Sequence, residues 1–104
     1  MDKAAVLIII KRYVEALENI GIKVEKTVLY GSYHNGDYRE GSDIDLVVVS
    51  DDFAGKGLWE RIEILAKALV KVFEPIEAVA MTPDEFENGD SMIAMFAREG
   101  EVIV

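Results

Sequence analysis

The sequence holds no cysteine, two prolines, one tryptophan and one histidine in 104 residues. Without cysteine there is neither a disulfide framework nor a thiolate metal site, which fits a reducing cytoplasm. Basic residues are also scarce, 11 Lys and Arg against 20 Asp and Glu, for a net charge of -9. Affinity for a phosphate backbone comes mostly from Lys and Arg that displace counterions, so a bare nucleic-acid binder is disfavoured. An acidic surface suits divalent cations or a basic protein partner. Long apolar runs are missing too. The run from Ala4 to Ile10 is followed at once by Lys11, Arg12 and Glu15, has no small-residue cleavage pattern, and falls far short of the roughly 30 Å of hydrocarbon in a bilayer. The expectation is a cytoplasmic protein with no membrane segment.

What is present is core material. An apolar fraction of 51% is incompatible with the low-hydrophobicity signature of disorder, and the length suits one domain over residues 1–104. Residues 3–20 read as a helix, with Val6, Ile9, Ile10, Tyr13, Val14 and Leu17 at spacings of three and four and Gly21 as the stop. Residues 22–30 alternate as a strand does, with Val24, Val28 and Tyr30 on one face and Glu25, Thr27 and Leu29 on the other. Residues 31–42, with three glycines, read as a loop holding one helical turn near its middle.

The unbroken apolar run from Ile44 to Val49 predicts a central strand covered on both faces. Residues 58–73 predict a helix whose buried stripe is Leu58, Ile62, Leu65, Leu69 and Phe73, with Trp59 as a packing residue. Pro75 closes that helix, and residues 76–81 form the next strand. Thr82, Pro83 and Glu85 make a capping box that opens a third helix to about residue 98. Gly100 ends it, and residues 101–104 add a short last strand.

The chemistry lies in one segment. Gly31-Ser32 is followed ten residues later by Asp43-Ile44-Asp45-Leu46. Side chains on a strand alternate faces, so Asp43 and Asp45 point the same way, about 6 to 7 Å apart. Two like charges held together require a proton, a basic residue or a metal to neutralise them. Oxygen-only ligands favour Mg²⁺ or Mn²⁺. At Gly31 the backbone can approach a ligand closely, and the Ser32 hydroxyl can donate to a phosphate oxygen beside that metal.

The stretch from Gly31 to Val49 resembles the signature of the DNA polymerase β-like nucleotidyltransferase superfamily, a Gly-Ser followed by an acid-apolar-acid triplet on a strand. The order of elements along the whole chain is similar to that of its stand-alone minimal nucleotidyltransferases. The resemblance implies an α+β, two-layer fold with a mixed sheet of three to four strands packed with helices. It implies that Asp43 and Asp45 bind two Mg²⁺ ions, and that a third carboxylate comes from a later strand, for which Glu77 is the match. Gly31 and Ser32 would hold the triphosphate of ATP. Relatives often carry a basic residue just after the Gly-Ser, where this chain has Tyr33, His34 and Asn35; Arg39 or Lys56 would have to substitute. His34 itself reads as an ordinary loop residue.

The resemblance also implies a partner, a small helical HEPN-domain toxin whose tyrosine receives AMP. At this length no second domain is expected to carry the acceptor, so another molecule or a second copy of the chain must bring it. Two alternatives stand beside this: a binding module that neutralises its partner without chemistry, and a small-molecule nucleotidyltransferase like the aminoglycoside-modifying relatives. No residue shows base-reading spacing.

Overall fold

A computed structural model describes residues 2–36 and 41–104. In chain order these form α1 (Lys3–Asn19), β1 (Lys26–Tyr30), α2 (Ser32–Asn35), β2 (Ile44–Val49), a 3-10 turn (Asp51–Phe53), α3 (Leu58–Val72), β3 (Ile76–Met81), α4 (Pro83–Asn88), α5 (Met92–Arg98) and β4 (Glu101–Val102). The strands make one mixed sheet in the order β3-β2-β1-β4. Strand β1 runs antiparallel to β2 and β4, while β2 and β3 are parallel, with α3 between them in sequence. This is the expected α+β class.

The first helix follows its periodicity: all six predicted residues, Val6, Ile9, Ile10, Tyr13, Val14 and Leu17, are buried. It ends in a Schellman motif, with Gly21 at φ 97° donating to Glu18 C=O and Ile22 donating to Leu17 C=O. That cap consumes Ile22, and it is why β1 begins at Lys26 rather than at 22. Residues between are tied to the next turn instead, Lys23 N–H donating to Asp52 at 2.7 Å and the Ser50 hydroxyl donating to Lys23 C=O at 2.6 Å.

Both sheet faces are covered, as the apolar run of β2 requires. Ile44, Leu46 and Val48 join Leu29 in the larger core beneath α1 and α3. Val47 and Val49 face the other way, into a smaller core with Val28, Met81, Phe86, Ala94 and Ala97 beneath α4 and α5. The two long helices therefore form a full layer on one face, and two short ones cover part of the other.

Two expectations are corrected. Helix α3 buries Leu65, Ala68 and Val72, whereas Leu58, Trp59, Ile62 and Phe73 are exposed, Phe73 at 89%. Leu65 is buried as expected and Leu69 packs against the core half-buried, so the buried face keeps the middle of the expected stripe but turns towards Ala68 and Val72, leaving both ends of that stripe in solvent. The helix expected from Thr82 to Arg98 is two. The capping box at Thr82 is present, but Gly89 and Ser91 are extended, and Ser91 recaps α5 by accepting from Ala94 N–H at 3.1 Å. Arg98 bridges the break, donating to Glu87 C=O and Gly89 C=O, both at 2.6 Å.

Candidate active site

Three side chains form a row across three strands. Tyr30 on β1 is the partner of Asp45 on β2, and Asp45 is the partner of Glu77 on β3. Neighbouring strands lie about 4.8 Å apart, and alternation puts all three on the face of Val47, Val79 and Met81. The cover of α4 and α5 fades towards this row: Val47 and Met81 are buried, Tyr30 and Asp45 half-buried, and Glu77 exposed. Asp43 stands two residues before Asp45, exposed and just ahead of β2.

The row is electrostatically strained. Burial raises the Asp45 carboxyl pKa, and Glu77, through its charge and a hydrogen bond, raises it further, followed by the charge of Asp43. The Tyr30 phenol is raised by burial and then by Asp45 and Glu77. Among the described residues none of the three carboxylates forms an ion pair with Lys, Arg or His. Negative charge is thus gathered with no cation among the described residues paired to it.

Gly31 makes room for this arrangement. It sits at φ 73° and ψ -150°, and a Cβ there would overlap Asp45 Oδ2. Only glycine adopts that conformation without strain, and only glycine leaves the carboxylate its place. Ser32 opens α2 directly after it.

Oxygen donors in this setting fit Mg²⁺ or Mn²⁺. Among the described residues no group of three or more His, Cys, Asp or Glu side chains is placed to hold a metal ion by itself. Mg²⁺ does not need one, since it is usually held by one or two carboxylates with the remaining positions filled by water and substrate phosphates. Arg39 lies outside the described residues. Lys56 is elsewhere, donating to Asp52 C=O at 2.7 Å and lining a groove with Arg61 and Ala80.

Sequence reasoning missed Tyr30 as a member of the row, since its place opposite Asp45 depends on strand register. It also missed a cleft of about 320 Å³ beside the row, lined by Tyr30, Gly31, His34, Asn35, Phe96 and Glu99. Those residues come from the junction of β1 with α2 and from the end of α5, far along the chain. A larger, mostly apolar hollow of about 500 Å³ lies at the end of α3 around Leu69, Val70 and Phe73, away from the carboxylates.

Comparison with known proteins agrees with this geometry. Residues 8–100 match the profile of the family described as "Nucleotidyltransferase domain". A Methanocaldococcus jannaschii protein, named as a candidate protein adenylyltransferase, is 37% identical over 81 residues, which are 76% of each chain. Two solved structures share the fold. A candidate nucleotidyltransferase from Sulfolobus solfataricus superposes with a TM-score of 0.65 at 22% identity, over 76% of this chain and 68% of that one. A toxin-antitoxin structure with AMP-PNP superposes with a TM-score of 0.61 at 20% identity, over 90% of this chain and 71% of that one. With the family profile matching nearly the full length, this chain belongs to the nucleotidyltransferase domain family and is a nucleotidyltransferase.

Proposed function

We propose that this chain is the antitoxin member of a toxin-antitoxin pair and transfers AMP from ATP to a tyrosine hydroxyl of a small helical HEPN-type toxin. The observation that carries the reading is the charge coupling of Asp45 with Glu77 and Asp43 beside Gly31, with no ion pair to any of the three among the described residues. The adenylyltransferase name of the M. jannaschii relative and the likeness to a toxin-antitoxin structure with AMP-PNP support ATP and the partner.

In this reading Asp43 and Asp45 hold Mg²⁺ or Mn²⁺ with the triphosphate, and Glu77 completes the set. A pair of divalent cations supplies electrostatic stabilisation of the entering and leaving oxygens of an in-line displacement. Ser32 donates its hydroxyl to a phosphate oxygen, and Gly31 keeps the Asp45 carboxylate free to turn towards the nucleotide. The acceptor oxygen forms a bond to the α-phosphorus as the bond to pyrophosphate breaks, and Glu77 takes the acceptor's proton. Chemistry of this kind belongs in the cytoplasm, where ATP is. The acceptor arrives on the partner, for which exposed Leu58, Trp59 and Ile62 at the start of α3 offer an apolar docking edge.

Mixing the chain with its partner and α-phosphate-labelled ATP tests this. Label on a partner tyrosine is expected; no transfer with either Mg²⁺ or Mn²⁺ contradicts it. A second reading, a binding module without chemistry, is separated by Asp43→Asn: transfer requires the carboxylate for toxin neutralisation, and mere occupancy does not.

A further inference from the structure

The carboxylate row creates a charge problem for any nucleotide. A triphosphate must settle beside Asp43, Asp45 and Glu77, in a chain of net charge -9. Divalent cations offset part of that repulsion, but the tail also needs donors from the protein. The cleft beside Gly31 is where such donors would act. Of its described lining residues, Tyr30, Gly31, His34, Asn35, Phe96 and Glu99, only His34 can become a cation.

His34 is held in an unusual way. Its Nδ1 is buried without a hydrogen-bond partner, and the nearest acid is Glu101 Oε1 at 3.9 Å. Glu101 is fixed in turn by Lys3, whose Nζ donates to the same oxygen at 2.5 Å. That hydrogen bond is the main cause lowering the Glu101 pKa, so the carboxylate stays ionised. The inner edge of the imidazole therefore faces a permanent negative charge, which favours a proton on Nδ1. The side chain remains 32% exposed and lines the cleft.

The groups around the ring come from every neighbouring element. Glu101 approaches from β4 and Glu99 lines the cleft from α5; Tyr30 stands on β1, and Lys3 on α1 is engaged by Glu101. Asp45 lies over Gly31 on the far side. With Glu101 behind Nδ1 and a phosphate anion before the cleft edge, the ring would lie between two negative groups, the setting that suits an imidazolium.

We infer that His34 is a polyphosphate-binding residue of the nucleotide site, presenting Nε2–H to the triphosphate while Glu101, anchored by Lys3, orients the ring. The inference rests on the nucleotidyl-transfer reading and adds to it a source of positive charge that the Gly31-Ser32 turn lacks.

Calorimetric titration of AMP-PNP with Mg²⁺ into the full chain at pH 6 tests it. Wild type is expected to bind about tenfold more tightly than His34→Gln, the size of one charge-assisted hydrogen bond. His34→Lys should keep tight binding. Glu101→Gln, a change at a half-exposed surface position, should weaken binding at pH 6 with His34 still in place, and it remains informative if His34→Gln folds poorly. Equal binding by wild type, His34→Gln and Glu101→Gln at pH 6 overturns the role of His34 alone. Absence of binding by wild type overturns both this inference and the nucleotide reading beneath it.

Discussion

Gly31 and Asp45 compete for one volume: the Asp45 carboxylate occupies the place that any side chain at position 31 would need. The two residues are 14 apart in sequence but meet because Tyr30 pairs with Asp45, which brings the turn after β1 over the start of β2. Gly31→Ala therefore meets two costs, a positive φ and a displaced carboxylate. Stability should fall by about 2 kcal/mol, read by urea unfolding, and Mg²⁺-dependent nucleotide binding should be lost together with it.

Asp45→Asn should separate stability from function. The folded-state pKa of Asp45 is raised, so the stability linked to its proton is complete below the unfolded value near 3.8 and disappears as pH rises through the higher folded value. At neutral pH, without divalent cation, wild type thus carries an unrelieved repulsion that asparagine removes. The variant should melt at a higher temperature than wild type without metal, lose the stabilisation that Mg²⁺ gives wild type, and lose activity by at least about a hundredfold. A melting series with and without Mg²⁺ checks this.

Arg61 joins three segments on the far side of β3. With its side chain 15% exposed, it donates to Phe53, Lys56 and Ala80 carbonyls and pairs with Glu85 at 2.6 Å. Arg61→Ala should cost about 2 to 4 kcal/mol, because buried carbonyls lose their donors. Most of that loss should persist in a Glu85→Gln background. The Glu85 side chain is 46% exposed, so its pairing with Arg61 contributes under about 1 kcal/mol. The Glu85 pKa is lowered, first by the hydrogen bond from Arg61, so its contribution is present above the ordinary value near 4.5 and is lost as pH falls through the lower folded value. A double-mutant cycle at pH 7 and at pH 3 measures both.

Tyr13 ties α1 to α3 by donating its hydroxyl to Leu65 C=O at 3.0 Å. Burial raises its pKa, so the bond survives alkaline solution. Tyr13→Phe should destabilise by about 1 kcal/mol and leave nucleotide binding unchanged, since the residue lies on the sheet face opposite the carboxylates. Denaturation and calorimetry on the same sample separate the two.

How much of this was readable beforehand depended on range. Local signals carried well: the α1 stripe, the Gly21 stop and the Thr82 capping box all rest on residues within a few positions of one another. Glu77 was readable only through the family resemblance, because nothing local distinguishes it from a solvent-facing glutamate. The α3 face was read only in part, Leu65 and Leu69 correctly, because the helix is apolar on more than one side and spacing alone does not say which side meets the core. The break at Gly89 left a signal in its Asn-Gly-Asp-Ser run, outweighed by apolar spacing on either side. The link from His34 to Glu101 spans 67 positions and exists only because β4 pairs with β1.

The central claim is that Asp43, Asp45 and Glu77 capture a divalent cation together with a nucleoside triphosphate. Titrating Mn²⁺ into the chain with and without AMP-PNP, and following free Mn²⁺ by electron paramagnetic resonance, tests it most directly. The account predicts weak uptake of Mn²⁺ alone, tight uptake with the nucleotide, and neither in Asp43→Asn or Asp45→Asn. Uptake by those variants equal to wild type, or no uptake by wild type with nucleotide present, contradicts it.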